Sequence, residues 1–153
     1  MLRLIKATAV TGILAVALTL PVAAQASPRE GVRIDTIRQG PSGVFESSGE
    51  IVDSGTFTVR KAVFGGPGPG NFVIVHATET FSGTAGTFTV TRTVRVTWGS
   101  DPSVRSIDGN WVVIAGTGAY DDLHGQGRIS GTVQGFPPAE VFALTYAGSA
   151  SND

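Results

Sequence analysis

Two residues of opposite charge, Glu79 and Arg92, interrupt an otherwise apolar alternation and are the chain's leading candidates for chemistry. The turn Gly83-Thr84-Ala85-Gly86 sets the register of the segments on either side of it. With Ser82 opposite Thr87, Phe81 faces Phe88, Glu79 faces Val90, Ala77 faces Arg92 and Val75 faces Val94. One face then carries Val73, Val75, Phe81, Phe88, Val90, Val94 and Val96, with Glu79 and Arg92 as diagonal neighbours among them. Charges on a buried strand face are costly unless paired and hydrogen-bonded, so an internal ion pair is expected. The pair has two readings. It is a polar spot where a carboxylate acts as acid or base beside a fixed cation, or else a structural salt bridge or a pair at the barrel's mouth in contact with water.

A second hairpin adds further candidates. With Ser54 and Gly55 as its turn, Val52 faces Phe57, Glu50 faces Val59 and Ser48 faces Lys61, which places Glu50 and Lys61 on the buried face with Phe57, Val59 and Val63. A slip of one residue would turn all of them outward. In the last segment Phe142, Leu144 and Tyr146 share a side, so the Tyr146 phenol joins the same interior, either at a cavity or as a core residue with its hydroxyl satisfied. His76 falls on the opposite, Thr-rich face with Thr78, Thr80, Thr91 and Thr93, where strand alternation exposes it.

The elements that must position these groups are short strands between Gly, Pro, Ser and Asp turns, since no apolar period of 3.6 persists. The strands are expected at Val32 to Arg38, Val44 to Val52, Thr56 to Phe64, Asn71 to Ser82, Thr87 to Trp98, Asn110 to Ala115, Gln126 to Gln134 and Val141 to Ala147. The stretches Gly65 to Gly70, Gly99 to Asp108 and Gly135 to Pro138 read as rim connections. Eight antiparallel strands joined by short links predict an all-β fold, a single meander that closes into a barrel.

Residues 1 to 26 read as a cleavable signal peptide. Arg3 and Lys6 precede an apolar run from Ala7 to Leu20, and Ala24-Gln25-Ala26 supplies a cleavage site. The run is shorter than the ~20 residues a spanning helix needs, and the later apolar stretches are short and interrupted, so no membrane association is expected after cleavage. The expected domain is residues 27 to 153, secreted or extracytoplasmic. Of 11 basic and 12 acidic residues, the leader takes Arg3 and Lys6, leaving 9 against 12 and a net charge of −3. That balance argues against nucleic acid, whose binding needs cations on phosphate.

Several chemistries lack their residues. There is no cysteine, no G-x-S-x-G, and neither His has an evident orienting partner, which disfavours serine and cysteine hydrolases. Asp121, Asp122 and His124 are a thin basis for a metal in a chain with two His, so no metal is expected. The glycine-rich stretch Gly116 to Gly127 lacks both the lysine and the following helix of a phosphate loop, and its glycines suit a tight turn instead.

The run GNWVVIAGTGAYDDLHGQGRISGTV, the earlier EIVDSGTFTV and the ending FALTYAG resemble the bacterial exported branch of the allene oxide cyclase barrel proteins, relatives of the plant dirigent proteins. The resemblance spans Gly49 to Gly148 and rests on turn and strand signatures. It implies an eight-stranded barrel with a central cavity, and some relatives guide cyclisation or coupling of hydrophobic small molecules without a redox cofactor. It assigns no catalytic residue. Two function classes follow: a barrel that binds a small hydrophobic molecule through Glu79, Arg92, Glu50, Lys61 and Tyr146, with no cofactor, and a non-catalytic exported structural or partner-binding barrel whose side chains fill its interior and whose Thr-rich exterior or rim loops meet a partner.

Overall fold

The computed structural model describes residues 31–65 and 71–152. The leader expected at 1 to 26, and residues 66–70 of the rim connection expected at Gly65 to Gly70, lie outside the described residues. Eight strands follow one another: β1 Gly31–Gln39, β2 Ser42–Gly49, β3 Asp53–Phe64, β4 Phe72–Gly83, β5 Gly86–Trp98, β6 Val104–Gly118, β7 Leu123–Gln134 and β8 Val141–Asn152. Each pairs antiparallel with its neighbour, and β8 returns to β1 from Gly31↔Ser149 to Gln39↔Val141, so the sheet is a closed barrel. Closure leaves no unpaired strand edge, which matters for a chain with no disulfide to hold an open sheet.

The β4/β5 register is the one that alternation predicts, with Phe81↔Phe88, Glu79↔Val90 and Ala77↔Arg92. Other bounds move. β6 starts at Val104, inside the stretch expected to be a loop, because Arg105, Ile107 and Trp111 carry an inward alternation down from the rim. β8 runs on to Asn152, past the expected end at Ala147, because Ala150 is buried and the strand pairs with β7 as far as Leu123.

The β2/β3 hairpin differs most. Its connection is Glu50 to Val52, preceded by Gly49 at φ +87°, and Ser54 and Gly55 lie inside β3, paired with Glu46 and Phe45. Further along β3 the pairing jumps from Val59↔Glu79 to Lys61↔Thr78, a bulge at Arg60. An extra residue reverses the inward and outward sense of everything beyond it. Phe57 therefore points inward, 1% exposed, while Val63 points outward, 49% exposed.

The interior is filled at one end and open at the other. At the filled end Phe81 stacks between Phe57 (5.2 Å) and Phe88 (4.8 Å), and Phe45, Tyr120 and Tyr146 pack edge-on around them. Each aromatic pair adds roughly 0.5–1.5 kcal/mol to its area burial. Asp53 locks the turns at this end. It accepts hydrogen bonds from the Thr84 amide (2.9 Å) and hydroxyl (2.7 Å), the Ser54 amide (2.8 Å) and the Tyr120 hydroxyl (2.7 Å). Burial alone would raise this carboxyl, but the bonds from Thr84 and Tyr120 outweigh it and hold Asp53 well below the ordinary carboxylate range. A side chain at Gly83 would strike the Asp53 carboxylate, so the turn needs glycine there.

Candidate functional site

The open end holds a cavity of about 460 Å³, within the ~300–1,000 Å³ typical of small-molecule sites. Its walls are chiefly apolar and aromatic: Phe64, Phe72, Trp98 and Phe142 stand around the mouth, and Val75, Val96 and Val133 lie deeper. Polar groups are few. Arg92 reaches the cavity from β5, Arg38 from β1 and Arg105 from β6, and Glu140 lies just before β8.

Below the cavity, Glu79, Arg92 and Tyr146 converge from β4, β5 and β8. Arg92 Nε donates to Glu79 Oε1 at 2.9 Å, and the Tyr146 hydroxyl donates to Glu79 Oε2. The Glu79 side chain is 0% exposed and the Arg92 side chain 3%. Burial first, and then the adjacent Glu79 charge, push the Tyr146 phenol well above its ordinary value, against the opposing pull of Arg92. The phenol is therefore a fixed donor at neutral pH. Glu79 has both oxygens engaged and does not line the cavity. Arg92 does line it, and among the described residues its only protein hydrogen bond is through Nε.

That division decides the chemistry open to the site. A ligand in the cavity meets a guanidinium, and the carboxylate behind serves as its counter-charge. Arg92 can donate to a carbonyl, ether, epoxide or hydroxyl oxygen and polarise it in an apolar surrounding, where such bonds are strong. Glu79 would have to give up Arg92 or Tyr146 before acting as a base on the same ligand.

The other two sequence candidates lie elsewhere. Glu50 is exposed in the β2/β3 connection at the filled end, because the turn falls there and not at Ser54-Gly55. Lys61 is exposed on the outer side, because the Arg60 bulge reverses β3 beyond it. His76 is exposed, with Nδ1 2.9 Å from Thr93 Oγ1, and Asp121, Asp122 and His124 are exposed at or beside the β6/β7 turn.

The mouth also contains groups that sequence reasoning passed over. Arg105 pairs with Glu140 at 2.5 Å and donates to the Gly135 carbonyl at 3.0 Å. Arg38 lies 3.5 Å above the Phe142 ring and donates through Nη1 to the Gly40 carbonyl at 2.5 Å. The Nε atoms of Arg38 and Arg105 are buried without a protein partner among the described residues. Each of these three residues continues an inward alternation: Arg38 follows Ile34 and Thr36, Arg105 precedes Ile107 and Trp111, and Glu140 precedes Phe142, Leu144 and Tyr146. That parity was the available signal.

Comparison of the chain with known protein families, curated proteins and solved structures finds no match.

Proposed function

We propose that this protein is an exported barrel that binds a small hydrophobic molecule in the cavity at its open end, with an oxygen of that molecule on Arg92. The observation that carries the reading is the cavity itself: apolar walls enclosing about 460 Å³, with a guanidinium on its inner surface backed by a fully buried Glu79. A barrel built only for stability gains by filling such a space, since a void forfeits packing. The likeness of the Gly109 to Val133 segment to allene oxide cyclase barrel proteins extends the proposal: the walls would fold a flexible substrate and guide its cyclisation while Arg92 polarises the oxygen, without a cofactor. Export rests on Arg3, Lys6, the run from Ala7 to Leu20 and Ala24 to Ala26. N-terminal sequencing of protein recovered from culture supernatant should begin at Ser27.

The binding reading is tested by native mass spectrometry of the protein exposed to an extract of its producer's small molecules. A reproducible one-to-one adduct, lost when Val73→Trp fills the mouth, supports it. No adduct leaves the partner-binding alternative, which draws on Ile37 and Val44, paired across β1 and β2 and 58% and 59% exposed on the outer wall.

A further inference from the structure

The exposed apolar side chains of the barrel are unevenly placed. Phe64, 69% exposed at the end of β3, and Phe136, 59% exposed in the β7/β8 connection, are the two exposed phenylalanines among the described residues, and both stand at the open end. Val104 and Val141 join them, exposed on either side of Gln134 where β6, β7 and β8 begin or end together. Phe64 and Pro138 line one groove outside the mouth, and Pro138 belongs to the same turn as Phe136, which the Ala139 amide closes on the Phe136 carbonyl at 2.9 Å. The connections at the filled end offer Val52 as their one exposed large apolar side chain among the described residues. Apolar groups gathered at one end of a molecule and left in water mark a surface that meets something apolar.

Charge divides between the same two ends. Around the open end stand four cations, Arg38, Arg60, Lys61 and Arg105, against two carboxylates, Asp101 and Glu140. Arg60 and Lys61 are exposed, and the bulge that turns Lys61 outward keeps it beside Phe64 in the groove that Pro138 also lines. The connections at the filled end carry Glu50, Asp121 and Asp122, all exposed, and no lysine or arginine. On a chain whose formal net charge is −1, this separation makes a dipole that would turn the open end toward a negative surface.

We propose that the open rim docks on an anionic lipid surface, with Phe64 and Phe136 entering the interfacial layer and Arg60 and Lys61 set against lipid phosphates. The inference goes beyond the binding function proposed above and stands whatever the cavity holds. Apolar side chains flanked by cations are the combination that attaches a protein to the plane of such a surface. Attachment of this kind needs no spanning helix, the lack of which underlies the sequence-based expectation of no membrane association. The barrel rests on the surface and does not cross it, because its outer wall exposes Arg33, Asp35, Arg95, Asp108 and Arg128, which hydrocarbon would not accept. A second copy is a poorer occupant. Rim against rim sets cations together, and rim against filled end gives the phenylalanines Val52 and little else.

The test is co-sedimentation of the processed protein, recovered from culture supernatant, with vesicles of phosphatidylcholine alone and of phosphatidylcholine mixed equally with phosphatidylglycerol. At low ionic strength the protein should partition onto the mixed vesicles about tenfold more strongly than onto phosphatidylcholine, the increment of two cations at an anionic surface, and added salt should weaken the preference. Arg60→Ala with Lys61→Ala should remove most of it. Phe64→Ser with Phe136→Ser should lower partition onto the mixed vesicles by roughly tenfold, the loss of two rings from the interface. All four positions are exposed, so both variants should unfold in urea at the wild-type midpoint. Asp121→Asn with Asp122→Asn shifts net charge as far as the Arg60/Lys61 variant does, in the opposite direction and at the far end, and should leave partition unchanged. Val73→Trp, which fills the cavity, should also partition as the wild type does, so the rim is judged apart from the ligand. Three results overturn the proposal: no partition onto the mixed vesicles, a gain in the Asp121/Asp122 variant equal to the loss in the Arg60/Lys61 variant, or self-association in sedimentation velocity that the Phe64/Phe136 variant abolishes, which would assign the rim to a second copy.

Discussion

Replacing Arg92 by Met strips the charge from the interior ion pair while keeping most of the side chain's length. At the observed 2.9 Å separation an effective dielectric of about 20 gives an attraction of roughly 6 kcal/mol. The substitution also removes Arg92's own desolvation cost, so the net loss expected for breaking a buried pair is about 3–5 kcal/mol. Tyr146 still donates to Glu79 in the variant, which puts the loss toward the lower end of that range. Urea unfolding followed by the fluorescence of Trp98 and Trp111 measures it. Adding Glu79→Gln to Arg92→Met should restore part of the loss, giving a coupling of about 2 kcal/mol between the sites. A loss below about 1 kcal/mol at neutral pH, the size expected of a solvated pair, would refute the account of a dry pair beneath the cavity.

Other consequences follow from the titrating groups and the register. Asp53 is held low in the folded state, so its contribution to stability is complete above about pH 4 and is lost as pH falls toward the folded value; Asp53→Asn should flatten the acid limb of stability against pH in urea melts. Both tyrosines of the chain are buried and held above their ordinary value, Tyr120 by burial and then by Asp53, Tyr146 by burial and then by Glu79. Their stabilisation is complete below about pH 10 and lost as pH rises toward the folded values. Tyrosinate absorbance should therefore stay absent through that range and then appear for both rings together as the barrel opens; separate titration of one ring in the intact fold would contradict the burial. Glu50→Ala and Lys61→Ala lie outside the interior and should each change unfolding stability by no more than about 0.5 kcal/mol, whereas a loss of several kcal/mol at either would restore the inward register that the β3 bulge removes.

The contrast between two hairpins explains what alternation can reveal. Between β4 and β5 the pairing runs unbroken from Phe72↔Thr97 to Ser82↔Thr87, so one correct turn places every side chain, Glu79 and Arg92 included. In β3 two local features defeat the same reasoning. Gly55 suggests a turn but is a strand residue whose missing side chain lets the Ser82 carbonyl come close. The Arg60 bulge reverses parity midway, and a bulge on a strand carries no compositional mark comparable to a turn's. The mouth was legible for a different reason that was easy to miss. Arg38, Arg105 and Glu140 obey the alternation of their strands, yet charged residues near strand ends suggest rim loops unless parity is followed to the last residue. Asp53 and Tyr120 are different again: they meet across 67 residues of sequence, which no local pattern encodes.

The claim that binds these observations together is that the open end of the barrel takes up an apolar molecule. It is tested most directly by titrating N-phenyl-1-naphthylamine into the wild-type protein and the Val73→Trp variant under identical conditions. Saturable binding of one probe per chain, weakened about tenfold or more when the indole occupies the cavity, is the predicted result. No saturable binding to the wild-type protein, or equal binding to both proteins, would contradict the account.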